Sequence, residues 1–137
     1  MATSGVKVHP DCVEIFQELK RGKTHKYIIY KISDNLETIE VVKKSADEDY
    51  DNFLKELPED DCRWAIYDFA FKAPDGGDRN KIVFYSWSPD NAKIKPKMLY
   101  ASSKDGLRKA LNGIAAEIQG TDYDEVAYET VLERIRR

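Results

Sequence analysis

One six-residue segment, 27–32, limits the possible folds of this chain more than any other feature. Its sequence is Tyr-Ile-Ile-Tyr-Lys-Ile, in which apolar residues do not alternate with polar ones. A strand with one face in solvent alternates, whereas a strand that is apolar on both faces is covered on both. The segment is therefore predicted to be a central strand of a sheet, and the rest of the chain must supply its cover.

The other periodic segments are a mixture of strand and helix patterns. Strands are predicted at 38–42, 62–71, 81–87 and 114–118, and the turn 74–77 joins the second and third of these as a hairpin. Helices are predicted at 10–22, at 50–57 before Pro58, at 96–111, and after a capping box formed by Asp122 and Glu125. The inner face of the third helix is predicted to consist of Met98, Ala101, Leu107, Ala110 and Leu111.

This pattern, in a chain of 137 residues, predicts one domain of the α/β or α+β class, with helices covering a mixed sheet. Residues 1–8 are expected to form a mobile tail. An aromatic content of 11% excludes disorder as the main state. No apolar run approaches the ~18 residues that a membrane span requires, so we expect a cytosolic protein. Cys12 and Cys62 are then expected to be reduced, buried thiols.

Charge is distributed unevenly along the chain. The segment 47–62 carries eight carboxylates and one lysine, whereas 93–109 carries six cations and one carboxylate, and three further arginines lie at 134, 136 and 137. A local concentration of positive charge in an acidic protein favours docking to an anionic surface. Candidates are an acidic protein, phosphoinositide headgroups and nucleic acid. Nucleic acid is the weakest of these, because the net charge is −3.

No motif for catalysis or cofactor binding is present. The sequence has no Walker loop, no GxSxG and no HExxH. His9 and His25 are 16 residues apart, which does not indicate a shared site. Asp47, Asp49 and Asp51 resemble the start of an EF-hand loop, but Asn52 and Pro58 occupy the positions that require glycine and glutamate. We therefore expect neither an enzyme nor a metal or cofactor site.

Several strings, in order, resemble the actin-depolymerising factor/cofilin family, and the short fungal-type members most of all. They are Ser-Gly-Val at 4–6, Ala-Ile-Tyr-Asp-Phe at 65–69, Lys-Ile-Val-Phe at 81–84, Trp-Ser-Pro-Asp at 87–90, Lys-Met at 97–98, Tyr-Ala-Ser-Ser-Lys-Asp at 100–105, Gln-Gly-Thr-Asp at 119–122 and Val-Leu-Glu-Arg at 131–134. Each string alone is weak, but their order along the whole chain is specific.

The resemblance implies a single actin-depolymerising-factor homology domain over 1–137, with a mixed sheet of about five strands and helices on both faces. It also implies a function without catalysis: binding of actin monomers and filaments with a preference for ADP-actin, a change in filament twist, and severing and depolymerisation. The alternative is a relative with the same fold that does not sever. Such a relative would bind filament sides as coactosin does, or bind the actin-branching complex as glia maturation factor does.

The resemblance also assigns site residues. The contacts to both monomer and filament are Ser4, Gly5, Val6, Lys95, Lys97, Met98, Lys104, Asp105, Arg108 and Lys109. The filament-specific contacts are Arg79, Lys81, Glu133, Arg134 and Arg137. Ser4 matches a regulatory phosphorylation site, where a phosphate would add about −1.5 to −2 charge and repel acidic actin.

Further expectations concern partners and the start of the third helix. The implied partners are actin, inhibitory phosphoinositide headgroups, and actin-interacting and cyclase-associated cofactor proteins, for a monomer at cortical actin in the cytoplasm. Active nuclear import is not expected, because Lys43-Lys44 is only a pair. Pro96 and Lys93 depart from the family pattern. Since proline suits the first turn of a helix, the helix is predicted to begin near Lys95.

Overall fold

The computed structural model, which describes residues 5–22 and 24–136, contains a six-stranded mixed sheet in the order β1-β3-β2-β4-β5-β6. The β1–β3 and β5–β6 pairs are parallel, and the others are antiparallel. The strands are β1 (Lys7–Val8), β2 (Tyr27–Ile32), β3 (Thr38–Ser45), β4 (Arg63–Lys72), β5 (Asp78–Trp87) and β6 (Ala116–Gly120). The mixed sheet confirms the predicted class, with one strand more than the expected five.

The additional strand is β1, which lies inside the segment that was expected to be a mobile tail. Lys7 pairs with Thr38 and Val8 with Ile39, and the Lys7 N–H donates to the Glu37 carbonyl at 2.9 Å. A two-residue strand has no periodicity of its own, so its pairing with a distant segment left no local signal. The tail prediction is therefore wrong for these two residues, and residues 1–4 lie outside the described part of the chain.

The helices cover both faces of the sheet. They are α1 (Pro10–Gly22), α2 (Tyr50–Leu54), α3 (Ile94–Ala110) and α4 (Tyr128–Ile135), with a short 3₁₀ helix at Tyr123–Val126. Tyr27 and Ile29 of β2 face the core layer that contains residues of α2 and α4, whereas Ile28 and Tyr30 face the layer beneath α1 and α3. This confirms that β2 is buried on both faces. No helix among the described residues has the length and apolarity to cross a membrane.

The acidic segment serves as local structure. Asp49 caps α2 by accepting from the Asp51 N–H at 3.0 Å, and Asp47 accepts from the Asp49 N–H at 2.9 Å and from the Asn52 amide at 2.8 Å. Capping of this kind satisfies backbone donors that have no partner within the helix. The helix ends at Leu54, earlier than predicted.

The predicted capping box forms with a changed partner. The Asp122 side chain accepts from the Glu125 N–H at 3.0 Å, but the Glu125 carboxylate accepts from the N–H and hydroxyl of Thr121, at 2.6 and 2.8 Å. These bonds lie at the start of the 3₁₀ helix Tyr123–Val126, and α4 begins only at Tyr128. Both cysteines are buried and free, as predicted.

The first turn of α3 differs slightly from the prediction. The helix begins at Ile94, and Pro96 is its third residue. Proline is tolerated there because the first four N–H groups of a helix have no partner within it. The buried residues of α3 are Tyr100, Ser103 and Leu107. Met98 and Ala101 are exposed, so their assignment to the inner face is wrong.

Candidate functional site

The beginning of α3 carries two unusually exposed apolar side chains. Ile94 is 74% exposed and Met98 is 68% exposed, the highest values among the exposed large hydrophobic residues described. They are four residues apart and therefore lie on the same side of the helix, one turn from each other. We call this pair the apolar tip. Met98 was assigned a contact role by the resemblance, but Ile94 was missed. The sequence feature that could have identified Ile94 as a contact residue is its position one helical turn before Met98.

Lysines surround the apolar tip. Lys93 and Lys95 are exposed, whereas Lys97 is partly buried and donates from Nζ to the Asp90 carbonyl at 3.2 Å. Beside the tip, Lys95 and Pro96 line a groove of about 260 Å³ together with the β2–β3 turn. The tip is therefore a small protruding apolar surface with cations at its edge, a form that suits a cleft bordered by carboxylates.

Tyr100 fixes the orientation of this part of α3. Its hydroxyl accepts from the Ile32 N–H of β2 at 2.9 Å, and its ring packs against Trp64 of β4 with 4.5 Å between ring centroids. Burial raises the pKa of the Tyr100 hydroxyl. The apolar tip is thus presented by a helix that is bonded to the centre of the sheet.

The second half of α3 presents its charges differently. The Glu117 carboxylate of β6 lies 3.1 Å from Lys104 Nζ and 3.4 Å from Arg108 Nε. Asp105 and Lys109 are exposed on the same half of the helix. Two of the cations that were assigned to actin binding are therefore paired within the molecule.

The N-terminal segment lies on the same side as α3. Gly5 is exposed with φ of 80°, and Val6 is half-buried against the core layer beneath α1 and α3. The following strand, β1, is close to α3. Ser4, the predicted phosphorylation site, lies outside the described residues. For the described part, the structure brings the predicted tail contacts and the α3 contacts to one side of the molecule.

The residues assigned to filament binding lie elsewhere. Lys81 of β5 donates from Nζ to the Ile135 carbonyl at the end of α4, at 2.7 Å, so the hairpin and α4 meet. Arg79 pairs with Asp75 at 3.1 Å and its side chain is 52% exposed. Glu133 and Arg134 are exposed on α4. We call these residues of the hairpin and α4 the hairpin–α4 surface. Arg137 lies outside the described residues.

The apolar tip and the hairpin–α4 surface belong to opposite layers of the molecule. Tyr100 and Leu107 of α3 are part of the core layer with α1, whereas Val131 and Ile135 of α4 are part of the other layer. A protein with contact surfaces on opposite faces of its sheet is suited to contact two different molecules at once.

Comparisons with known proteins show which sequences and structures this chain resembles. A family model described as cofilin/tropomyosin-type actin-binding protein matches residues 5–136. The cofilin of Schizosaccharomyces pombe is 59% identical over 137 residues, which is 100% of this chain and 99% of that protein.

Solved structures show the same fold. The crystal structure of Streptomyces griseoflavus cofilin superimposes with a TM-score of 0.91 and 56% identity, over 96% of this chain and 97% of that one. Actin depolymerization factor 2 of Plasmodium berghei gives a TM-score of 0.86 at 37% identity, over 98% of both chains. These matches confirm the resemblance and the fold that it implied. The chain belongs to the actin-depolymerising factor/cofilin family of actin-binding proteins.

Proposed function

We propose that this protein binds actin monomers and filaments, prefers ADP-actin, changes the twist of the filament, and severs and depolymerises it. The observation that carries the proposal is the exposed apolar tip of Ile94 and Met98 with lysines at its edge. No covalent bond is made or broken in this function. The free energy of binding to actin drives the change in filament twist.

The apolar tip supplies affinity, and the lysines supply encounter rate. Burying a large aliphatic side chain contributes roughly 1.5–3 kcal/mol, so Ile94 and Met98 together are sufficient for a substantial share of a micromolar affinity. A rim cation such as Lys95 changes the association rate and its salt dependence more than the affinity. In this proposal the tip enters an apolar cleft on actin, and Lys93 and Lys95 face carboxylates at its border.

The hairpin–α4 surface extends the proposal from monomers to filaments. Arg79 and Arg134 contact a second actin subunit, while the apolar tip contacts the first. A ligand changes a conformational equilibrium only through different affinities for the two states. The protein therefore changes filament twist if its two surfaces fit adjacent subunits better in the altered twist than in the original one.

Co-sedimentation with filamentous actin, combined with a measurement of polymer loss, tests this function. The wild type is expected to pellet with filaments and to increase the fraction of unpolymerised actin. The double variant Lys95→Ala with Lys97→Ala should bind both filaments and monomers more weakly than the wild type does. A matched variant, Arg79→Ala with Arg134→Ala, should lose filament binding and retain monomer binding. A folded Lys95/Lys97 variant that binds as well as the wild type would contradict the site assignment.

The length of individual filaments separates severing from the alternative functions of the fold. A severing protein shortens bare filaments over time. A coactosin-like binder decorates filaments without shortening them, and a glia-maturation-factor-like protein acts only when the actin-branching complex is present. Unchanged filament length at saturating decoration would refute the severing part of the proposal.

Regulation by phosphate forms the last part of the proposal. A phosphate on Ser4 adds about −1.5 to −2 charge next to an acidic partner, and this weakens binding. Ser4→Glu should bind actin more weakly than Ser4→Ala, and equal binding by the two variants would contradict the switch.

Phosphoinositide headgroups compete with actin for Lys93 and Lys95. Actin-interacting and cyclase-associated proteins act on the same complex at cortical actin in the cytoplasm.

A further inference from the structure

We propose that Glu117 sets the partner selectivity of α3 by neutralising Lys104 and Arg108 within the molecule, so that flat anionic surfaces are bound less strongly than actin. This inference rests on the proposed function, because it concerns the choice between actin and other anionic partners.

The geometry places one carboxylate between two cations. Lys104 and Arg108 are four residues apart on α3, so their like charges are adjacent and repel each other. Glu117 of β6 places one oxygen 3.1 Å from Lys104 Nζ and the other 3.4 Å from Arg108 Nε. The three side chains are 23%, 34% and 38% exposed for Lys104, Arg108 and Glu117, respectively. Partial burial reduces screening by salt, which favours retention of these ion pairs.

Arg108 depends on Glu117 in particular. Arg108 Nε is buried, and it makes no hydrogen bond to any residue in the described part of the chain. The Glu117 oxygen at 3.4 Å is at an ion-pair distance but does not form a hydrogen bond with it. A buried charged donor without its counter-ion is costly. Removal of the Glu117 charge should therefore release the Arg108 guanidinium, together with the Lys104 ammonium, towards solvent.

The consequence depends on the shape of the partner. A membrane with anionic headgroups responds mainly to the number of available cations on a surface, because it has no fixed shape to match. An actin cleft must also fit the apolar tip, which lies on the first half of α3, away from Glu117. Glu117 therefore lowers the attraction to a flat anionic surface while it leaves the shape-dependent contact intact.

Binding to vesicles and to actin monomers, measured in parallel, tests this proposal. The test variant is Glu117→Gln. The control is Glu14→Gln, which changes the net charge by the same amount at an exposed site on α1. The probes are phosphatidylcholine vesicles that contain either phosphatidylinositol 4,5-bisphosphate or phosphatidylserine. Each released cation is expected to strengthen vesicle binding about five-fold, so Glu117→Gln should gain roughly 5- to 25-fold. Its actin affinity should increase by a smaller factor than its vesicle affinity, because the apolar tip supplies much of the actin affinity, and Glu14→Gln should resemble the wild type.

Two further variants separate selectivity from stability. Glu117→Asp keeps the charge but shortens the side chain, so its vesicle binding should lie between the wild type and Glu117→Gln. Adding Lys104→Gln to Glu117→Gln should return vesicle binding towards the wild type, which a merely structural role of Glu117 does not predict. Equal vesicle binding by the Glu117→Gln and Glu14→Gln variants overturns the proposal, as does an equal gain for actin. Failure of the wild type to bind actin counts instead against the proposed function, since the vesicle comparison is independent of it.

Discussion

The two halves of α3 carry the same kind of charge but make different use of it. The first half, 94–102, has the exposed Lys95 next to the apolar tip of Ile94 and Met98, and the exposed Lys93 directly precedes it. The second half, 103–110, has its Lys104 and Arg108 paired with Glu117. A dense run of cations in a sequence is therefore not a measure of the positive charge that a partner meets.

Neighbouring carboxylates explain the difference. Asp34 and Asp61 line the groove beside Lys95, but Asp34 pairs with Lys31 at 3.3 Å and Asp61 pairs with Arg63 at 2.8 Å. Lys95 itself makes no ion pair with any residue of 5–22 or 24–136. Beside the second half, Glu117 has no other described cation as a partner and pairs with Lys104 and Arg108 of the helix. The first half is therefore left available for binding.

The largest effect is expected from Ile94→Asp combined with Met98→Asp. The loss of two buried side chains at roughly 1.5–3 kcal/mol each predicts at least a hundred-fold weaker affinity for actin monomers and filaments. Fluorescence titration measures the affinity, and thermal unfolding should be nearly unchanged because both residues are exposed. Lys109→Asp on the second half should cost less than about five-fold. Equal losses from the two halves would break the comparison.

A smaller effect is expected when single lysines are compared. Lys95→Ala should reduce the association rate for actin by about five-fold at low salt and by less at high salt, since exposed charges steer the encounter. Lys104→Ala should change that rate by less than about two-fold, because Glu117 already neutralises it. Stopped-flow measurements at two salt concentrations test this. A greater effect of Lys104→Ala than of Lys95→Ala on the association rate would place the docking charge on the second half of α3 instead of the first.

The next prediction concerns the anchor of the first half. Tyr100→Phe removes the acceptor of the buried Ile32 N–H and should lower the free energy of unfolding by about 1–3 kcal/mol. Urea denaturation measures this change. Tyr128→Phe is the matched control. Tyr128 is 39% exposed, so removal of its hydroxyl should change the free energy of unfolding little. A negligible change in Tyr100→Phe would show that the hydroxyl does not hold the helix.

The smallest effect is a pH dependence of the same anchor. Burial raises the pKa of Tyr100 above its ordinary value of 10.0. The hydroxyl therefore ionises first in the unfolded chain, and its contribution to stability is complete below about pH 10 and is lost as the pH rises. The difference in unfolding free energy between the wild type and Tyr100→Phe should narrow above about pH 10. A constant difference across that range would contradict the burial of the hydroxyl.

The features that the sequence predicted correctly are those with a local signal. The unbroken apolar run of β2 required cover on both faces, and residues 63–72 and 78–87 form the predicted hairpin around a glycine-rich turn. The segment of α3 was recognised from its helical spacing and its cations. The resemblance assigned a contact role to Met98; the family assignment confirms the resemblance, and the contact role stays a prediction.

Other features required contacts between distant residues. Lys81 was predicted to be a filament contact, but the structure shows its ammonium bonded to the Ile135 carbonyl, 54 residues away. Its role in filament binding stays a prediction. Ile94 looks like an ordinary core residue in sequence, and only its position at the end of α3 leaves it exposed.

By itself, the sequence determined the types of elements, the buried faces of the central strands and the location of positive charge, because short-range periodicity and composition encode these properties. Only the tertiary structure decided that β1 joins the sheet, that the tip of α3 projects, and which cations are neutralised. Those outcomes depend on which side chains meet after the chain has folded, and a carboxylate such as Glu117 has no effect on Lys104 until the sheet brings the two together.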